Sequence, residues 1–154
     1  MKNNAINIIS FLLILLWIYA AASKLAEYDM FISQLSRQPL PPWSIPILVW
    51  LLPAIELFTA LLLAFRKTRS YGLLFSFVLL LTFTFYTALA LSGAYGSIPC
   101  SCGGVFSFMG WKAHFIFNTV ASLIAFSGWY LSKTNFKLTI NHTRKYYVHK
   151  REVS

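Results

Sequence analysis

Four apolar stretches, each close to the length that crosses a lipid bilayer, constrain this chain more than any other feature. They run over about 5–22, 45–65, 71–91 and 113–131. The hydrocarbon core of a membrane is spanned by roughly 20 helical residues. Within it a backbone must satisfy its own N–H and C=O groups, so each stretch predicts a transmembrane α-helix. Charged residues make up only 11% of the chain, against about 25% in a soluble domain. A water-soluble fold is therefore excluded. The 154 residues leave room for one all-α integral membrane four-helix bundle over 1–131 and a basic tail over 132–154, without a second domain.

The connections differ in kind. The first stretch ends in Tyr19-Ala20-Ala21-Ala22-Ser23, a small-residue run of the sort a signal peptidase cuts, but its length fits a retained span better than a signal core. From Lys24 to Gln38 the pattern predicts a short interfacial amphipathic helix, with Leu25, Tyr28, Met30, Phe31, Ile32 and Leu35 on one side and Glu27, Asp29 and Gln34 on the other. Pro39, Pro41, Pro42 and Pro46 then enforce an extended turn, and Trp43 and Trp50 stand where interfacial aromatics anchor a span. Arg66, Lys67 and Arg69 make a tight basic turn after the second span, and a glycine-rich segment from Ser92 to Lys112 precedes the fourth. The tail beyond Leu131 has no clear fold of its own.

The net charge of +9 follows membrane orientation rather than nucleic-acid binding, because the cations sit between and after the spans instead of forming one exposed patch. Lys2, Arg66, Lys67, Arg69, Lys133, Lys137, Arg144, Lys145, Lys150 and Arg151 fall on one side of a four-span chain, and Lys24, Arg37 and Lys112 on the other, ten against three. This excess predicts both termini in the cytoplasm. In a bacterium it puts the protein in the cytoplasmic (inner) membrane with the loop over 92–112 extracytoplasmic. The sequon Asn141-His142-Thr143 would then lie where it is not glycosylated.

That loop holds both cysteines of the chain, Cys100 and Cys102. In an oxidising compartment such a pair can form a disulfide or stay a reactive dithiol. A ring closed across one intervening residue is hard to reconcile with relaxed disulfide geometry, so the bond would be labile and oxidising. It would also constrain the unfolded chain very little, which weakens a purely structural role. An inert pair and half of a metal site are the alternatives. A structural metal needs about four ligands, and only His114 is a nearby third, so no metal is expected.

Inside the spans Glu56 is the one acidic residue, and an ionisable group at that depth is rare and normally paired or functional. Lys24, at the end of the first span, can reach inward towards it or extend to the headgroups. His114 and Asn118 lie one turn apart on the same face of the fourth span. Together Glu56, Lys24, His114 and Asn118 form a candidate membrane-embedded polar site; interhelical packing is the alternative role for each.

Three segments in this order, Ser23-Lys24-Leu25, Pro53-Ala54-Ile55-Glu56-Leu57 and Cys100-Ser101-Cys102-Gly103, make the chain similar to the DoxX-like superfamily of four-helix membrane proteins. Within it, the chain resembles the redox-associated MauE (methylamine utilisation) branch. The resemblance covers roughly residues 5–131. It departs from the family where Gly103 and Gly104 follow the second cysteine, a place where an aromatic residue is common. The resemblance implies a membrane partner in extracytoplasmic thiol–disulfide handling, acting with a thioredoxin-like protein during maturation of secreted redox enzymes, with Cys100 and Cys102 as the reacting residues. If electrons leave the pair, a quinone near Glu56 and His114 is a candidate acceptor, although no motif supports one. The rival is a non-enzymatic membrane subunit or assembly factor that binds a partner through its helices. A small transporter is the weakest reading, because the sequence shows no inverted repeat.

Overall fold

A computed structural model describes residues 2–93 and 110–152, with side chains over 3–93, 110 and 112–134. Cys100 and Cys102 lie outside the described residues. The chain folds into α1 (Lys2–Ala26), α2 (Tyr28–Ser36), a 3₁₀ turn (Pro42–Ser44), α3 (Ile45–Ala64), α4 (Arg69–Leu91) and α5 (Trp111–Glu152). Four segments are long and apolar enough to cross a membrane: Asn3–Ala26, Pro42–Ala64, Arg69–Leu91 and Lys112–Thr134. The protein is an all-helical integral membrane protein. Helices α1, α4 and α5 overrun their apolar stretches because hydropathy marks only the part in hydrocarbon, while the backbone ladder continues until something interrupts it.

Each helix buries one narrow stripe. In α1 it is Ile6, Ser10, Leu13, Trp17 and Ala21, and in α3 it is Val49, Pro53, Glu56, Ala60 and Leu63. The spacing of three and four residues keeps such a stripe on one face of a helix. The opposite faces carry exposed Ile8, Phe11, Leu12, Leu15 and Ile18 on α1, and Leu57, Phe58 and Leu61 on α3. Large apolar side chains face outward while Ser10, Glu56, Thr59, Ser76, Thr87, His114, Asn118 and Ser122 are buried. That is the pattern of a bundle whose solvent is lipid, where polar groups seek partners between helices.

One core cluster joins Ile6, Leu13, Trp17, Ala60, Leu63, Leu73, Leu80, Ala121 and Ala125 across all four spans. Helix α5 packs most extensively on α4, and α1 on α3. Close approach is achieved with glycine. A β-carbon on Gly72 would sit 2.8 Å from the Leu63 backbone nitrogen, so the α3–α4 hairpin closes only without one.

The expected single helix over 24–38 is two pieces. Lys24 belongs to α1, and the chain breaks at Glu27 (φ −110°, ψ 49°) before α2. No glycine or proline marks the break. It lets α2 turn Phe31 and Leu35 against Val49 of α3. Of the six apolar residues expected on one side, only Phe31 and Leu35 are buried, and Leu25 and Met30 are exposed. The tail, expected to lack a fold of its own, continues α5 as helix to Glu152. Neither glycine nor proline occurs after Gly128, so nothing in the sequence interrupts the ladder.

Candidate functional site

The antiparallel spans give the bundle two ends. At the loop end α1 and α4 finish and α3 and α5 begin; at the turn end lies the Phe65–Thr68 connection between α3 and α4. Lys24, His114 and Asn118 fall towards the loop end, and Glu56 lies near the middle of α3.

Lys24 and Glu56 are in direct contact. The Lys24 ammonium donates to Glu56 Oε1 at 2.7 Å, with side-chain exposures of 11% and 3%. Lys24 also donates to the Ala20 carbonyl at 3.1 Å. That bond folds the ammonium back along the last turns of α1, where the helix dipole favours a cation. The side chain therefore turns inward along its own helix rather than out to the headgroups. Pro46 in the first turn starts α3, a position where its missing N–H costs nothing. Pro53, one turn before Glu56, lies inside α3. Glu56 Oε2 is buried and has no hydrogen-bond partner among the described residues.

His114 and Asn118 are buried on one face of a different helix, at 3% and 9% exposure. They share that stripe of α5 with Ala121, Ser122 and Ala125. The residues Thr82, Thr84 and Thr87 of α4 all bond back to carbonyls of their own helix, Val78, Leu80 and Phe83 respectively.

Sequence reasoning missed two bridges. Tyr86 of α4 donates its hydroxyl to Gln38 Oε1, and the Gln38 amide nitrogen donates to the Gln34 carbonyl. This ties the segment after α2 to the loop end of α4. Deeper in the bundle, Trp17 Nε1 donates to Ser76 Oγ at 2.9 Å and links α1 to α4. The usable signal in both cases is an aromatic residue with a polar handle inside an apolar stretch, which finds a partner when buried. Its partner is unreadable, because the two residues are 48 or 59 positions apart.

The model of the family described as methylamine utilisation protein MauE matches residues 2–131. The chain belongs to the MauE family. Neither the curated proteins nor the solved structures gave a match. The matched range takes in α1 to α4, α5 as far as Leu131, the Lys24–Glu56 pair and the segment that carries Cys100 and Cys102. It stops before most of the tail.

Proposed function

We propose that this MauE-family membrane protein serves methylamine utilisation by exchanging disulfides with an extracytoplasmic thioredoxin-like protein. Cys100 and Cys102 carry the exchange, and Lys24, Glu56, His114 and Asn118 form the polar interior beneath them. The observation that carries the reading is the Cys100-Ser101-Cys102 pair within the family range, on the connection between α4 and α5. The ten-to-three distribution of Lys and Arg supports a cytoplasmic location for both termini and an extracytoplasmic one for the pair.

The chemistry needs two sulfurs on each partner. A cysteine thiolate of this chain attacks one sulfur of the partner's disulfide; the new S–S bond forms as the old one breaks, and the expelled thiolate takes up a proton. The second cysteine, as thiolate, then attacks the mixed disulfide. A Cys100–Cys102 bond forms and the partner leaves as a dithiol. Two electrons pass to the partner, and the reverse sequence oxidises it.

Cys100→Ser and Cys102→Ser are each expected to abolish methylamine-dependent growth while leaving membrane abundance unchanged, because closing so short a loop adds almost no stability. One variant is expected to accumulate a mixed disulfide with an extracytoplasmic protein, since the resolving thiol is gone. Cys102, followed by two glycines, is the expected point of attack. Full activity in both variants would remove the redox reading and leave the non-enzymatic subunit in its place; loss of abundance in both would make the pair structural. A reporter fused after Leu131 that behaves as exported would overturn the orientation.

A further inference from the structure

We infer that the turn end of the bundle binds anionic phospholipid headgroups, through Arg66 and Lys67 on the α3–α4 turn and Lys133, Lys137 and Arg144 on α5. The packing brings the two groups to one level. A β-carbon on Gly128 of α5 would lie 2.9 Å from Ile9 of α1 and 3.1 Å from Leu73 of α4, so the three helices press together there. Lys133 lies five residues further along α5, about 7.5 Å at the helical rise. Arg69 lies four residues back along the antiparallel α4, about 6 Å in the same direction. The turn and Lys133 thus stand at the same rim of the bundle.

Not every cation at this rim is available. Arg69 donates to Asn7 Oδ1 at 2.6 Å and to the Leu63 carbonyl at 3.4 Å, which makes it a link between α1, α3 and α4. Arg66, Lys67 and Lys133 are exposed; Lys133 Nζ lies 4.9 Å from the centre of the Trp129 ring, an interfacial arrangement. Beyond Thr134, where the membrane-crossing segment ends, α5 continues without a break. Spacings of four and seven residues put Lys133, Lys137 and Arg144 within about 40° of one line along the helix. Arg144 lies about 15 Å past the end of the span at 1.5 Å per residue. The headgroup layer and one Debye length together cover roughly that distance. No acidic residue occurs between Glu56 and Glu152, so nothing in the chain neutralises the rim. Its place at the membrane edge favours lipid phosphate over an acidic protein or a nucleic acid. Arg66 and Lys67 lie within the range matched by the family model, and Lys133, Lys137 and Arg144 lie beyond it.

The test uses the full-length protein extracted with a mild detergent from vesicles made of equal parts phosphatidylglycerol and phosphatidylcholine, with retained lipid identified by mass spectrometry. Each basic residue near an anionic surface is worth about fivefold in affinity. Phosphatidylglycerol is expected to be enriched at least about fivefold over phosphatidylcholine. The enrichment should fall towards parity in a variant combining Arg66→Gln, Lys67→Gln, Lys133→Gln and Lys137→Gln, and persist when Arg37→Gln and Lys112→Gln neutralise the other end. Should the fourfold variant fail to fold, Lys137→Gln with Arg144→Gln lies beyond the packed spans and should still lower the enrichment severalfold. Equal retention of both lipids by the wild type, enrichment unchanged in these variants, or retention of nucleic acid or acidic protein in place of lipid would overturn the site.

Discussion

The two ends of the bundle bury different kinds of polar group. Towards the turn end and through the middle, the buried polar residues are hydroxyls: Ser10, Thr59, Ser76 and Ser122, set among Leu13, Leu63, Leu73 and Ala125. Ser10 and Thr59 bond to carbonyls of their own helices, and Ser76 receives the Trp17 indole. From mid-span towards the loop end the chain buries, besides the self-bonded Thr87 hydroxyl, an ion pair, an amide bound to a tyrosine, a histidine and an asparagine. A hydroxyl satisfied by its own helix asks little of its neighbours. A carboxylate or ammonium in hydrocarbon is tolerated only with a partner from another element. The first half can therefore pack as an ordinary helical core, while the second depends on particular residues meeting.

The largest effect expected from this difference is for Glu56→Lys, which would place two cations together in the interior. Almost no folded protein should be recovered in the membrane fraction, as judged by monodispersity after extraction. Lys24→Ala strands the Glu56 carboxylate and should cost about 3–5 kcal/mol, read from thermal unfolding in detergent. The double change Lys24→Glu with Glu56→Lys should recover part of that loss; no recovery would show that the cost comes from packing, not charge pairing. Glu56→Gln, which keeps the shape and can still accept from Lys24, is expected to fold but to lose function in methylamine-dependent growth. Full activity would reduce the pair to a packing device.

At the turn end the sensitive feature is closeness. Gly72→Ala drives a β-carbon into the Leu63 backbone and is expected to destabilise by about 1–3 kcal/mol. The smallest effect belongs to Thr82→Val on α4. Thr82 is exposed and bonds only to the Val78 carbonyl, so its removal should change stability by less than about 0.5 kcal/mol. A large loss from Thr82→Val would mean that even an exposed hydroxyl bonded within its own helix acts between helices, and the distinction between hydroxyls and the other polar groups would weaken.

Much of the architecture was legible because the bilayer leaves few choices. Four apolar stretches of sufficient length give four membrane spans, and prolines at 39, 41, 42 and 46 allow only a break between the first two. The Lys24–Glu56 contact was legible only as one of two outcomes, since Lys24 at the end of the first span could reach the lone acid or the headgroups, and the structure decides for the acid. The break at Glu27 was not, because no turn residue marks it and it arises from Phe31 and Leu35 docking on α3. The helical tail was missed for the opposite reason: its polar composition gave no periodic face, yet nothing in it stops a helix already begun.

The sequence by itself thus determined the number of membrane spans, the proline-rich break between the first two and the identity of the charge that must be neutralised, because each follows from a local requirement of backbone or side chain in lipid. The tertiary structure alone decided which hydroxyl Trp17 meets, that Tyr86 holds Gln38, and that Gly72 and Gly128 are the points of closest approach. Those pairings depend on the rotation and depth of one helix against another. Hydropathy averaged over a span resolves neither, since large apolar residues occupy lipid-facing and interior positions alike.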